Sequence, residues 1–138
     1  MKPPILVDTA ALIALGNKPD DCHHQVVNLM GQLTQAKRQF LTTHAVLLEL
    51  ANTYSKVRYK SLAIQLINVI NHSPAWQVIP TDNLLRQRGL KLFTHRGDKD
   101  WSLVDGISMV VAKDFQVTDS LTTDHHFSQA GFVILLKP

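Results

Sequence analysis

Four acidic residues carry most of the chemistry open to this chain: Asp8, Glu49, Asp105 and Asp124. Asp8 directly follows the apolar run Ile5-Leu6-Val7. A charge ending so apolar a strand is costly unless water, a hydrogen bond or a cation compensates it. The same aspartate could equally cap a helix that starts at Thr9. Glu49 lies among Leu47, Leu48 and Leu50, and helical spacing puts Ala45, Asn52, Thr53 and Lys56 on its side, as on a solvated face. Asp105 follows Ser102 by three residues, a capping-box pattern. Its helix also carries Ile107, Met109, Val110 and Val111, which leaves Asp105, Ser108 and Ala112 as one narrow stripe that could face a cleft. Asp124 follows a strand containing Leu121 and could cap the short helical turn after it. Asp119 is a weaker candidate, and Asp98 and Asp100 crowd a loop where solvated charge is expected.

Several carboxylates converging on one rim repel and raise one another's pKa unless a divalent cation joins them. Oxygen donors without cysteines or regularly spaced histidines favour Mg²⁺ or Mn²⁺ over zinc. The pairs His23-His24 and His125-His126 are adjacent, do not share a helix face, and read as surface or supporting residues. No G-x-G-x-x-G follows the first strand, and no P-loop or G-x-S-x-G elbow occurs. Asp8-Thr9-Ala10 also lacks the second aspartate of an aspartyl-phosphate site.

Short apolar runs alternating with helical patterns must position these acids. The spacing predicts strands over 5–7, 39–43, 76–80, 117–122 and 132–136. It predicts helices over 9–15, 19–38, 44–57, 61–71, 81–93 and 103–113, with a helical turn over 124–129. The second helix is expected to begin at Pro19 with Asp20 and Asp21 at its positive end, and Thr81 to cap the fifth. Strands separated by helices need crossovers, so the class is α/β, a mostly parallel sheet with helices on both faces. In such a sheet ligands bind beyond the carboxyl ends of the strands, where Asp8 lies.

With 138 residues, 45% of them apolar and 18% charged, the chain reads as one soluble globular domain over 1–138. Fourteen basic against eleven acidic residues give a net charge of +3, which permits a polyanionic partner without demanding one. The single cysteine excludes an internal disulfide and points to a reduced, cytoplasmic setting. No targeting or membrane-spanning stretch is visible, so no membrane partner is expected.

The chain resembles the PIN domain, the ribonuclease fold of VapC-type toxins. The likeness rests on Ile5-Leu6-Val7-Asp8-Thr9, on Glu49, on Asp98-Lys99-Asp100-Trp101-Ser102-Leu103-Val104-Asp105, and on Leu121-Thr122-Thr123-Asp124-His125-His126-Phe127, with Ala130-Gly131-Phe132 behind it. It covers nearly the whole chain, and D-x-W-S-x-x-D followed by T-x-D-x-x-F is its specific part. The resemblance implies a three-layer α/β/α domain with Asp8, Glu49, Asp105 and Asp124 around Mg²⁺ or Mn²⁺. Asp8 and Asp105 would be the principal ligands, Asp124 a further one, and Glu49 would act through water. It implies endonucleolytic cleavage of single-stranded or looped RNA that leaves the phosphate on the 5′ side.

Around that centre, Thr122 and Ser102 could orient carboxylates or bind phosphate, and Asp98 or Asp100 could add a ligand. Lys56, Arg58, Lys60 and Arg96 are candidates for RNA contact, as are Arg86, Arg88 and Lys91. The helices over 44–57 and 61–71 carry more apolar residues than one buried stripe needs. Together with the resemblance this suggests a homodimer and a groove for an antitoxin segment that places an Arg or Lys near Asp8. Two other functions stand beside the toxin: a PIN nuclease of RNA processing or acting on DNA, and a PIN-like binding module whose acids are only caps.

Overall fold

A computed structural model describes residues 2–136 of the protein. Five short strands, β1 (Ile5–Val7), β2 (Phe40–Thr43), β3 (Trp76–Ile79), β4 (Asp119–Leu121) and β5 (Val133–Ile134), pair in parallel in the order β3-β2-β1-β4-β5. Helices α1 (Thr9–Gly16) and α2 (His23–Gln35) join β1 to β2, and α3 (His44–Thr53) and α4 (Val57–His72) join β2 to β3. Helices α5 (Asn83–His95) and α6 (Leu103–Asp114) carry the chain across to β4, and α7 (His126–Gln129) leads into β5. The three-layer α/β/α architecture read from the sequence is therefore the one observed, with every strand pairing parallel.

The alternation of side chains along a strand divides the core. Ile5, Val7 and Phe40 pack with Leu12, Val46, Leu50 and Ile70 under α1, α3 and α4. Leu6 and Leu41 point the other way, into Met109, Val111, Trp101 and Phe127 beneath α6 and α7. Both faces of β1 are thus buried, which is why it reads as a continuous apolar run. Because β2 and β4 flank β1, the strand order reverses between β1 and β4, the topological switch where such sheets form a crevice.

One close approach fixes the element that carries Asp105. A Cβ on Gly89 of α5 would stand 2.5 Å from Ile107 Cγ1, and one on Gly106 would stand 3.0 Å from the Gly89 carbonyl oxygen. The two glycines let the backbones of α5 and α6 meet directly beside Asp105.

Several element bounds differ from the sequence reading. Helix α2 starts at His23 rather than Pro19, because the Asp20 carboxylate accepts a hydrogen bond from the Cys22 amide (2.8 Å) in a turn ahead of the helix. The stretch over 44–57 stops at Thr53, and α4 begins at Val57, four residues before the expected Ser61. Asp82, not Thr81, caps α5 by accepting from the Leu85 amide (2.8 Å), while the Thr81 hydroxyl accepts from the Ala45 amide (3.2 Å). The last strand shrinks to two residues. Among the described residues no helix is long and apolar enough to cross a membrane.

Candidate active site

Asp8 does the two jobs that the sequence left open. It is the residue before α1, and one carboxylate oxygen accepts from the Ala11 amide at 3.0 Å, closing the first helical turn. Its other oxygen accepts from the Thr122 hydroxyl at 2.6 Å, across the β1–β4 seam. The residue is only 4% exposed. Burial, assisted by the charges of Asp105 and Asp124, pushes its pKa up to about 7, although the bonds from Thr122 and Ala11 act in the opposite direction.

The Thr122 hydroxyl also accepts from the Asp124 amide at 2.9 Å, so a single buried threonine at the end of β4 links two of the acids. Asp105 closes a full capping box: its amide donates to the Ser102 hydroxyl (3.0 Å), and its Oδ2 accepts from the Ser102 amide (3.1 Å). Upstream, the buried Trp101 donates its indole N–H to Gln129 Oε1 (3.0 Å), tying the start of α6 to the end of α7. The motif D-x-W-S-x-x-D therefore reads as an anchor, a cap and an acid in sequence.

These residues meet in an open cleft of about 250 Å³, lined by Asp8, Thr9, Ile13, Glu49, Thr53, Ser102, Asp105, Asp124 and His126 among others. Among the described residues no lysine or arginine lines it. All four acids singled out in the sequence reach this cleft, and so does Ser102. Glu49 shares its wall with Thr53, one helical turn away, and its carboxylate makes no hydrogen bond or ion pair among the described residues. The side of α3 expected to be an ordinary solvated face is thus one wall of the cleft.

Other expectations are corrected. Asp98 and Asp100 do not line the cleft: both are exposed, and Asp98 is held by Arg96 at 3.0 and 3.2 Å. Arg96 is also stacked 4.9 Å over the Trp101 ring, which occupies its charge and its flat face within the protein. Of the expected stripe on α6 only Asp105 faces the cleft, because Ser108 and Ala112 are buried. Asp124 is not the residue directly before α7; it stands one position earlier and accepts from the His126 amide at 3.0 Å.

The sequence reading left both histidines of the second pair as surface or supporting residues, and the structure makes one of each. His126 Nδ1 lies 3.0 Å from Asp105 Oδ2 and 3.0 Å from Asp124 Oδ2, with its side chain 18% exposed, whereas His125 next to it is 75% exposed. Adjacency does place the two rings on different sides, and that is why one of them points in. Asp124, His125 and His126 also bring ligand atoms within 4.8 Å of one another.

Of the basic candidates, Lys56 precedes α4, and Arg58 and Lys60 lie in its first turns, all exposed, with the Arg58 guanidinium 4.7 Å above the Tyr59 ring. Arg88 is paired with Asp114 and Arg86 with Asn83.

Comparisons with known proteins bear on the fold and the family. The chain is similar in structure to VapC20 of Mycobacterium tuberculosis, a toxin that cleaves the sarcin–ricin loop. That match has 24% sequence identity and a TM-score of 0.83, covering 96% of this chain and 99% of the other. It is also similar to FitAcB of Neisseria gonorrhoeae, with 18% identity, 97% coverage of each chain and a TM-score of 0.65. A third likeness is to FitAB bound to a DNA fragment, with 18% identity, 95% and 93% coverage and a TM-score of 0.61. No curated protein sequence matches. The family model for the PIN domain matches residues 5–133, which takes in every acid of the cleft. With a parallel sheet, acids at its switch point and that match along nearly its whole length, this chain belongs to the PIN-domain family.

Proposed function

We propose that the protein is a divalent-metal-dependent endoribonuclease that cuts single-stranded or looped RNA and serves as the toxin of a toxin–antitoxin pair. One observation carries the reading: Asp8 is buried within the field of two further carboxylates, and among the described residues no lysine or arginine lines the cleft to balance them. Such an arrangement is unfavourable by itself and becomes favourable when a cation enters. The donor set fits Mg²⁺ or Mn²⁺, being oxygen-rich and reached through an open cleft. Asp8 and Asp105 would be the principal ligands, with Asp124 beside them. A bound cation supplies charge neutralisation at the phosphate and a lowered pKa for the attacking water.

The chain's own groups do the rest. Thr122 orients Asp8 through its hydroxyl, and Ser102 holds Asp105 through the capping box. Glu49, without a protein partner, accepts a hydrogen bond from water in the cleft. Lys56, Arg58 and Lys60 at the start of α4 give phosphates a place to dock without reading sequence. The exposed Leu48, Val57, Ile64 and Val69 on α3 and α4 supply apolar surface for a second copy of the chain or for an antitoxin segment. The likeness to VapC20, a toxin that cleaves the sarcin–ricin loop, supports this reading over a housekeeping nuclease. The setting is cytoplasmic, in line with the free Cys22.

The test is RNA cleavage by the purified protein with Mg²⁺ or Mn²⁺, with and without EDTA. Metal-dependent cuts inside the RNA are expected, and so is slowed growth of a host expressing the chain without its partner. Cleavage undiminished by EDTA would sink the metal assignment, and active protein accumulating harmlessly would sink the toxin. Light scattering at micromolar concentration should give twice the sequence mass; a monomer rules out the dimer.

A further inference from the structure

His126 opens α7 and sends two donors toward the acids from one residue. Its backbone amide donates to Asp124 Oδ1 at 3.0 Å, and its ring Nδ1 meets Asp105 Oδ2 at 3.0 Å. Asp105 is on α6, so this ring links Asp105 directly to the segment that carries Asp124. Nδ1 faces carboxylate oxygens on both sides, those of Asp105 and Asp124. Both are acceptors, so Nδ1 must carry a proton whether the ring is neutral or charged. Asp105 Oδ2 thereby receives two hydrogen bonds, from His126 and from the Ser102 amide. Its Oδ1 receives none among the described residues.

We propose that His126 is a positioning residue: its Nδ1–H holds Asp105 with Oδ2 turned to the protein and Oδ1 left open to the cleft, and keeps Asp105 and Asp124 at a fixed separation. The proposal rests on the metal-dependent reading above and adds to it the residue that pre-sets the acid pair. A capping box alone fixes the backbone of Asp105 but leaves its carboxylate free to rotate between its two oxygens. The second donor, arriving from another element, removes that freedom. Groups that orient metal-binding side chains in this way act through hydrogen bonds, and their loss typically weakens metal binding or activity by about 10–100-fold.

The geometry specifies which substitute should work. Asparagine places its amide nitrogen at the position of Nδ1, the same number of bonds from Cα. Glutamine places its nitrogen one bond further, at the position of Nε2. We would measure Mn²⁺ affinity by titration of the free ion signal, and RNA cleavage as kcat and KM, in wild type, His126→Ala, His126→Asn and His126→Gln. Melting temperatures would be recorded on the same samples. Expected is a loss of about 10–100-fold in Mn²⁺ affinity for Ala and Gln. Asn should recover most of that loss, and KM for RNA should move less than kcat.

If Ala fails to fold, the contrast between Asn and Gln carries the test. The proposal is overturned if wild type binds Mn²⁺ and cleaves RNA while Ala does so equally well, or if Asn is no better than Gln. It is also overturned if the spin-echo spectrum of the Mn²⁺-loaded wild type shows a directly bound imidazole nitrogen that Asn abolishes, since Nδ1 would then be a ligand. A wild type that neither binds Mn²⁺ nor cleaves RNA instead overturns the nuclease reading, and the positioning role with it.

Discussion

On the outer surface, Asp114 at the end of α6 is gripped by both terminal nitrogens of Arg88, at 2.6 and 2.8 Å, and Asp98 by Nε and one terminal nitrogen of Arg96, at 3.0 and 3.2 Å. The guanidinium in each case lowers the carboxyl pKa from its ordinary value. Asp8, in the cleft, has the opposite circumstances: it is buried, its nearest charged neighbours are carboxylates, and its pKa rises to about 7. The surface acids have thus been given an arginine each, and Asp8 none among the described residues. Where no described lysine or arginine stands beside the acids, their repulsion favours an added proton or an added cation. The surface pairs serve the fold at most weakly, whereas the buried charge of Asp8 works against it.

The contrast breaks most visibly in activity. Asp8→Asn and Asp105→Asn keep the size and capping ability of the side chain but remove the charge that a cation needs. Each should lower Mg²⁺-dependent RNA cleavage by orders of magnitude while the circular dichroism spectrum stays that of wild type. Retention of full activity by either purified variant would mean that the cleft is not the reaction centre.

The next effect is on stability, and its sign is opposite to the usual one for an aspartate. With a folded-state pKa of about 7 against an ordinary 3.8, the folded protein holds a proton on Asp8 that the unfolded chain has lost. Its contribution is therefore full below the unfolded value and disappears as pH rises through about 7. The whole difference is on the order of 4 kcal/mol. Metal-free Asp8→Asn should consequently be more stable than wild type at pH 8, and the gap should narrow toward pH 4. Parallel stability curves for the two proteins, followed by urea unfolding, would show that Asp8 titrates normally.

Much of the cleft was legible before any coordinates. The run Ile5-Leu6-Val7 ending in Asp8 forces a charge to the end of a buried strand, and the D-x-W-S-x-x-D pattern fixes both a cap and an acid. For Asp8 and Asp105 the alternatives of helix cap and cleft acid proved compatible, because one carboxylate has two oxygens to spend. His126 was not legible. Its inward turn depends on Asp124 accepting the amide two residues on, a local bend that no hydrophobic period reports. Nor was the fate of Arg96, since its partner Asp98 and its stacking ring Trp101 lie in a loop whose path the composition leaves undetermined. The break between α3 and α4 was misplaced for a related reason: Tyr54 and Val57 continue the apolar pattern across a turn that the backbone makes anyway.

A smaller effect sharpens the role of Asp105 as a ligand rather than a cap. Mg²⁺ that binds only the folded state should stabilise wild type by about 2.7 kcal/mol at a hundredfold excess over its Kd. Asp105→Asn retains an acceptor for the Ser102 amide but not the charge, so its Mg²⁺-induced rise in Tm should be much smaller. Equal rises in the two proteins, measured by differential scanning fluorimetry, would leave Asp105 a helix cap and nothing more.

The smallest effect is expected where the acid already has its partner. Arg88→Gln releases Asp114 on the exposed outer faces of α5 and α6, away from the cleft. Released, the carboxylate is rehydrated at once, since its side chain is already 42% exposed, and two long side chains regain rotamer freedom. Melting temperature should barely change, and any difference should vanish in about 1 M salt, where charges are screened within roughly 3 Å. RNA cleavage and Mg²⁺ affinity should match wild type, because neither residue lines the acid cleft. A marked loss of cleavage at unchanged Tm would show instead that this face meets the RNA, and would return Arg88 to the substrate-binding surface.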